Sequence, residues 1–181
     1  TYDGGLTWDS IIGGENHIGE YVSDIIINDE GTIYVSYVGY TGADQGGVFY
    51  SEDNGVTWQY SGLINHMITS LDLNSEGDVF AGCWGGVASD EWPGLYVLRN
   101  GETIWDTLIT GPQIGDVAIN SEGYIFFTSQ WPLGVSRSKD NGETFELIDE
   151  GLPPGYHNNI VFDNNEYLYA TSGDNLSRSI N

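Results

Sequence analysis

The chain has 181 residues, of which 26 are glycine and 13% are aromatic, and its formal charge is −23. Its only Lys and Arg side chains are Arg99, Arg137, Lys139 and Arg178. These are too few to neutralise phosphates, which argues against nucleic acid and anionic membranes as partners. No segment has the apolar length of a membrane span, and the lone Cys83 matches no metal-ligand spacing.

The first element along the chain is a predicted turn. Residues 1–8 read TYDGGLTW, and similar phrases recur as SEDNGVTW at 51–58 and SKDNGETF at 138–145. In such a turn the aspartate accepts hydrogen bonds from nearby backbone amides, and glycine takes the positive φ. We expect structural turns with buried aromatic rings, formed by Asp3, Gly5 and Trp8, by Asp53, Gly55 and Trp58, and by Asp140, Gly142 and Phe145.

Four hairpins follow in chain order. They read DIIINDEGTIYVSY (24–37), SLDLNSEGDVFAGC (70–83), DVAINSEGYIFFTS (116–129) and NIVFDNNEYLYATS (159–172), with turn positions 46, 46 and 43 residues apart. Each hairpin is followed by a third and, except at the end of the chain, a fourth short apolar segment. The pattern predicts first strands near 23–28, 68–73, 115–120 and 159–163. Four strands in about 45 residues is the period of a propeller blade.

The phrase S-x-D-x-G-x-T-W resembles the Asp-box, or BNR-type, repeat of sialidases, xyloglucanase-type glycosidases, sortilin-like receptors and many secreted bacterial propellers. Together with N-S-E-G-D-V-F-A-G, it is most similar to repeat proteins secreted by Bacteroidetes-type bacteria. The resemblance covers essentially the whole chain. It implies an all-β fold, a β-propeller of four-stranded antiparallel blades, and a secreted or cell-surface location in a bacterium.

The repeat predicts one propeller domain with four blade equivalents. Their approximate bounds are 22–66, 67–113, 114–158, and 159–181 completed by 1–21. A closed ring of four blades and a part of a larger propeller are both compatible with these bounds. In the second unit Arg99 stands where the box aspartate should be, and Trp105 is shifted by one place. We expect this unit to be held least firmly.

Loops that join strands two and three carry the first group of candidate ligand-binding residues. They are Tyr40, Trp84, Trp92 and Trp131, on segments rich in Gly, Pro and Ser. Flat rings beside Asp and Gln suit sugar recognition, because a ring covers the C–H face while oxygens bind hydroxyls. The alternative is that these rings cap the propeller or fill its channel.

A second group of candidates aligns at the innermost strands, as Asp24, Ser70, Asp116 and Asn159. In a ring of four, Asp24 and Asp116 would face each other across the channel. Opposed carboxylates can act as general acid and base or hold Ca²⁺, and we expect no other cofactor. The alternative is a hydrated ring of polar strand ends.

Three histidines, His17, His66 and His157, lie in loops that lead from a fourth strand to the next first strand. No pair of them has the spacing of metal ligands, so we expect no metal site. His66 and His157 are therefore assigned to the ligand-binding face.

The resemblance to sialidases does not extend to their chemistry, because Arg99, Arg137 and Arg178 are peripheral and cannot form a triad that binds a carboxylate. We predict a secreted module without catalytic residues that binds a carbohydrate or a protein partner through its loop face. The alternatives are a fragment of a glycoside hydrolase and a structural array or adhesin. The negative charge predicts a ligand that is neutral, cationic or bridged by Ca²⁺.

Overall fold

The computed structural model describes residues 4–9, 21–39, 46–86, 92–130 and 133–179. These residues form strands, turns and bends, and none of them forms a helix that is long and apolar enough to cross a membrane. The strands are β1 Tyr21–Ile27, β2 Ile33–Val38, β3 Gly47–Ser51, β4 Gln59–Gly62, β5 His66–Leu73, β6 Val79–Gly86, β7 Gly94–Leu98, β8 Asp106–Thr110, β9 Ile114–Ile119, β10 Ile125–Gln130, β11 Leu133–Ser138, β12 Glu146–Leu147, β13 His157–Phe162, β14 Leu168–Ser172 and β15 Asn175–Arg178.

Consecutive strands pair into four antiparallel sheets. Sheet 1 contains β1–β4, sheet 2 contains β5–β8, sheet 3 contains β9–β12 and sheet 4 contains β13–β15. The first strands β1, β5, β9 and β13 begin within about two residues of the predicted positions. The predicted all-β fold built from repeated antiparallel sheets is therefore confirmed.

The hairpin turns form because one side chain binds the backbone of its own turn. The Asn74 side-chain oxygen accepts hydrogen bonds from the amides of Glu76 and Asp78, at 3.0 and 2.9 Å. Asn28, Asn120 and Asp163 serve the other three turns in the same way. Glu166 has a φ of 63°, in the position that glycine takes in the other three hairpins. The amide-binding side chain keeps this turn even without glycine.

Three hydrophobic clusters lie between consecutive sheets. Each cluster contains a residue of a third strand and a residue of the first strand of the next sheet. Side chains alternate along a strand, so each sheet presents one face to the preceding sheet and the other face to the following sheet. The corresponding pairs are Val48 with Leu71, Leu95 with Val117, and Val135 with Ile160.

The prediction that Trp8 is buried is wrong. Its indole is 81% exposed, although its Nε1–H donates to the Gly5 carbonyl just as Trp58 Nε1–H donates to the Gly55 carbonyl. Residues 4–9 form no strand, so the turn geometry is present although no sheet among the described residues covers the ring. Trp58 and Phe145 are partly buried against hydrophobic clusters, as predicted.

Candidate functional site

The predicted inner-strand row exists, and its oxygens bind the backbone of the next sheet. Asp24 Oδ2 accepts a hydrogen bond from Leu71 N–H at 2.8 Å. Ser70 Oγ accepts from Val117 N–H at 3.1 Å, and Asp116 Oδ2 accepts from Ile160 N–H at 2.8 Å. We call these three contacts the inter-sheet bonds. They span 47, 47 and 44 residues, so each side chain reaches one repeat ahead.

A second row of hydroxyl groups lies one residue earlier in the strands. Ser23 Oγ donates to the Ile68 carbonyl at 2.6 Å, and Thr69 Oγ1 donates to the Ile114 carbonyl at 2.8 Å. In sheet 3 this position is Gly115, and Thr128 Oγ1 instead approaches the Asn158 carbonyl, at 3.5 Å. A Cβ on Gly115 would come within 2.9 Å of Thr128 Oγ1, so the glycine leaves room for the replacement.

The inner strands also hold Asp72, a carboxylate that was not among the predicted site residues. Its two oxygens accept hydrogen bonds from Ile119 N–H at 2.6 Å and Leu73 N–H at 2.8 Å. Burial raises the pKa of Asp72 to about 6, and the charges of Asp116 and Asp24 add to the rise. Burial also raises the pKa of Asp116, against hydrogen bonds from Ser70 and Ile160. A signal was present in the sequence, since an aspartate between Leu71 and Leu73 interrupts an apolar strand.

The box turns lie between the third and fourth strands, as predicted. Asp53 Oδ1 accepts from Thr57 N–H at 2.8 Å and Oδ2 accepts from the Thr57 hydroxyl at 2.7 Å. The Thr57 hydroxyl, the Thr57 amide and Ser51 lower the pKa of Asp53 to about 2. Ser51 also accepts from Gly55 N–H at 2.8 Å, a role that the sequence analysis did not assign. Asp140 makes the equivalent contacts, and its pKa is also lowered to about 2, mainly by Thr144.

The turn at Arg99 is held by a substitute carboxylate. Asp78, which is buried at the β5–β6 turn, accepts from Asn100 N–H at 2.8 Å and from the Arg99 guanidinium at 2.8 Å. Arg99 also donates to Asn141 Oδ1 at 2.9 Å, which links this turn to the box of sheet 3. Burial favours a higher pKa for Asp78, but the hydrogen bonds from Asn100 and Arg99 outweigh it and lower the pKa.

Three of the predicted loop-face residues belong to one end of sheet 2. Trp92 is 65% exposed, and its carbonyl accepts a hydrogen bond from the Tyr96 hydroxyl at 2.7 Å. The Tyr96 ring meets the His66 ring edge-on, with centroids 5.1 Å apart. Trp84, in β6, lies two residues before Gly86, which pairs with His66. We call Trp92, Tyr96 and His66 the loop-face cluster.

His157 belongs to sheet 4, whereas the loop-face cluster belongs to sheet 2. His157 is buried at the start of β13, and its Nδ1 has no hydrogen-bond partner among the described residues. Burial lowers the pKa of His157, while the charge of Asp149 acts in the opposite direction. In the described ranges, no group of three or more His, Cys, Asp or Glu side chains is arranged to hold a metal ion.

Comparison with known proteins supports this description. A family model for the BNR/Asp-box repeat matches residues 49–60. The chain therefore carries an Asp-box repeat on a propeller-type fold. No curated protein sequence matches the chain significantly.

Solved structures with similar folds share little sequence with this Asp-box chain. PorZ, a surface component of the type-IX secretion system of Porphyromonas gingivalis, has 14% identity and a TM-score of 0.66, over 87% of this chain and 25% of PorZ. YCF48 bound to the D1 peptide has 17% identity and a TM-score of 0.66, and the match covers 99% of this chain and 56% of YCF48. The GH74 xyloglucanase of Xanthomonas campestris has 13% identity and a TM-score of 0.67, and the match covers 86% of this chain and 27% of the xyloglucanase. The Asp-box chain thus spans between a quarter and just over half of these structures.

Some predicted residues of the Asp-box chain cannot be compared with the structure. Asp3, His17, Tyr40 and Trp131 lie outside the described residues. The assignment of Trp84, Trp92, His66, His157, Asp24, Asp116 and Asn159 to a ligand site stays a prediction.

Proposed function

We propose that the chain is a non-catalytic binding module, secreted or at the bacterial cell surface, that holds its ligand at the loop-face cluster. The observation that carries the proposal is the exposed indole of Trp92 on a fixed backbone. The Tyr96 hydroxyl fixes the backbone that carries this exposed ring, so the backbone loses little conformational entropy on binding, which is a property of good binding sites.

The ligand class follows from chemistry and charge. An indole face can bind the C–H face of a sugar or the cationic group of a basic side chain. With a formal charge of −23, the chain attracts cations and repels anions. We therefore propose a neutral carbohydrate or a basic protein segment as the ligand. Two fold neighbours, YCF48 in complex with the D1 peptide and the surface component PorZ, support a protein ligand and a surface location.

Binding without catalysis is supported by how the inner carboxylates are used. Asp116 accepts hydrogen bonds from Ile160 and Val117 amides and from the Ser70 hydroxyl. Asp24 accepts from the amides of Leu71 and Ile25. A carboxylate fixed by several backbone donors serves the fold, whereas a catalytic acid or base needs a free oxygen that faces its substrate.

The test compares Trp92→Ala with Ile104→Ala, because Ile104 is also exposed but lies in the Arg99 turn. Wild-type protein and both variants are screened on glycan and basic-peptide arrays, with and without Ca²⁺, and the best ligand is titrated calorimetrically. We expect Trp92→Ala to weaken binding by about tenfold or more and Ile104→Ala to leave it unchanged. Equal binding by wild type and Trp92→Ala would refute the proposed site.

A second candidate function is a fragment of a glycoside hydrolase, favoured by the raised pKa values of Asp72 and Asp116 on two first strands, β5 and β9. Turnover of chromogenic glycosides that disappears in Asp116→Asn, with the fold intact by circular dichroism, would establish it. If the chain is a purely structural array or an adhesin, we expect no binding on the glycan and peptide arrays and no turnover of chromogenic glycosides.

A further inference from the structure

A cleft of about 490 Å³ lies between sheets 1 and 2. The β1–β2 turn, the β3–β4 turn and the turn after β7 all contribute to its lining. In an antiparallel sheet these turns lie at one end of the strands, whereas Trp92 and His66 belong to connections at the other end. The cleft is therefore separate from the loop-face cluster, and we call it the turn-side cleft.

Two tyrosine rings and three carboxylates line the turn-side cleft. Tyr34 and Tyr50 are paired residues of β2 and β3, and their ring centroids are 6.0 Å apart. Both tyrosines are partly buried. The carboxylates are those of Glu30, Glu52 and Glu102. Burial raises the pKa of the Tyr34 hydroxyl, and the negative charges near it, including those of Glu52 and Glu30, add to the rise.

No Lys or Arg side chain in the described ranges neutralises these carboxylates. Among the described residues, none of the three glutamates forms an ion pair or a side-chain hydrogen bond. The residues that line the cleft include no Lys, Arg or His. Within the part of the chain that the structure describes, they also form no group that could hold a metal ion. The lining is therefore complementary to an organic cation.

In the next two sheets, the corresponding position carries a cation of the chain itself. The residue directly after the third strand is Glu52 in sheet 1, Arg99 in sheet 2 and Lys139 in sheet 3. The Arg99 guanidinium donates to Asp78 Oδ2 at 2.8 Å and to Asn141 Oδ1 at 2.9 Å. It thus bridges the β5–β6 turn of sheet 2 and the box turn of sheet 3. Sheet 1 has the opposite charge at this position.

The counterparts of both Arg99 partners line the turn-side cleft. Asn100 has in sheet 2 the Asn-Gly position that Asn141 has in sheet 3. Thr32 follows the hairpin glycine of sheet 1, just as Asp78 follows that of sheet 2. Both Asn100 and Thr32 contribute to the lining. A guanidinium in the cleft would thus meet two oxygen acceptors equivalent to those of Arg99, together with the carboxylates.

We propose that the turn-side cleft binds the guanidinium group of an arginine side chain from a basic segment of a partner protein. The planar guanidinium can stack on a tyrosine face while it donates to several oxygens, which suits this lining. Charge complementarity favours such a partner, because three carboxylates line the cleft and the formal charge of the chain is −23. This site is independent of the ligand proposed for the loop-face cluster.

A charge reversal tests the assignment. Glu52→Arg places a guanidinium at the position of Arg99, where we expect it to fill the cleft. Glu143→Arg is the matched control, because Glu143 is an exposed glutamate in the box turn of sheet 3 and its replacement changes the net charge equally. The probe is a capped Gly-Arg-Gly peptide, and the same peptide with neutral citrulline in place of arginine is its control. Binding is followed by amide chemical shifts.

We expect the arginine peptide to shift the amide signals of residues 28–34 and 100–103, both in the wild type and in Glu143→Arg. Glu52→Arg should weaken binding by about tenfold or more, and the citrulline peptide should cause no shifts in these segments. Trp92→Ala should bind the arginine peptide like the wild type, which separates this site from the loop-face cluster. Absence of these shifts in the wild type, an equal loss in both charge-reversal variants, or loss of binding in Trp92→Ala would overturn the proposal.

A milder pair of variants keeps the test valid if Glu52→Arg does not fold. Glu52→Gln and Glu143→Gln each remove one charge and preserve side-chain size, and circular dichroism checks the fold of all variants. We expect Glu52→Gln to weaken binding of the arginine peptide by about threefold and Glu143→Gln to leave it unchanged. Equal affinities of these two variants would contradict the proposal.

Discussion

The box turns and the inner strands use the same side chain, aspartate, under opposite physical conditions. Asp53 and Asp140 lie in exposed turns, and local hydrogen bonds led by a threonine hydroxyl lower their pKa values to about 2. Asp72 is largely buried, and burial raises its pKa to about 6. Hydrogen bonds thus stabilise the charged form of a turn aspartate. Burial destabilises the charged form of an inner aspartate, although backbone amides bind it.

The two groups also differ in how far they act along the sequence. Asp53 binds Thr57, four residues away, and so fixes a single turn. Asp116 binds Ile160, 44 residues away, and so fixes one sheet against the next. Loss of a turn aspartate should therefore have a local effect, and loss of an inner aspartate should weaken the whole array.

The largest effect is expected for Asp116→Ala. This change leaves Ile160 N–H and the Ser70 hydroxyl without their acceptor at a sheet interface, which should cost about 3 kcal/mol of unfolding free energy. Urea unfolding followed by tryptophan fluorescence measures the loss. Asp53→Ala is the matched control. An equal or larger loss of unfolding free energy in that control would contradict the claim that inner aspartates stabilise the fold more than turn aspartates.

A smaller effect is expected for Asp72 as pH changes. Because its folded pKa is raised, its contribution to stability is complete below the unfolded pKa of about 4 and is lost as pH rises through about 6. Asp72→Asn keeps an oxygen for Ile119 N–H but does not titrate. Unfolding free energy should fall between pH 4 and 7 by roughly 2 kcal/mol more in wild type than in Asp72→Asn. Parallel profiles for the two proteins would contradict the assignment.

The turn aspartates should show the opposite pH dependence. Because the folded pKa of Asp53 is lowered, its contribution is present above about pH 4 and is lost as pH falls through about 2. Asp53→Ala should lower the thermal unfolding midpoint modestly at pH 6. The difference in midpoint between this variant and the wild type should disappear near pH 2. Ligand affinity at the loop face should not change. A well-folded Asp53→Ala protein that fails to bind ligand would assign the box turn to the site.

The smallest effect is expected for Arg99→Ala. Its guanidinium is partly exposed, so loss of its ion pair with Asp78 should cost only a few tenths of a kcal/mol. Asp78→Ala should cost more, because Asp78 is buried and also accepts from Asn100 N–H. Calorimetric melting of both variants tests whether Asp78, rather than Arg99, holds this turn. A larger loss for Arg99→Ala would reverse that order.

The sequence predicted local features well because their partners are close in the chain. The hairpin turns and the Asp53 and Asp140 boxes depend on contacts within about four residues, and the spacing of the repeat displays them. The sequence also aligned Asp24, Ser70 and Asp116 in one row. It did not reveal that each binds the next sheet, because that contact depends on how neighbouring sheets are offset.

Burial could not be predicted from the box motif alone. Trp8 and Trp58 occupy the same place in the same turn, yet Trp8 is exposed because no sheet formed by the described residues lies beneath it. Asp72 was missed for a related reason. Its partner Ile119 lies 47 residues away, so the Leu-Asp-Leu segment shows only that a strand contains an unexpected charge.

The direction of the inter-sheet bonds has a consequence for how the chain folds. In sheets 1 to 3, the side-chain oxygen of each inter-sheet bond accepts from a backbone amide that is synthesised about one repeat later. During synthesis, sheet 1 can pair its own strands early, but Asp24 Oδ2 lacks its backbone donor until Leu71 has emerged and β5 has formed. Folding that passes from one repeat to its neighbour in this way follows the order of translation. Each sheet that has just been synthesised therefore supplies the amide that completes the inter-sheet bond of the sheet before it.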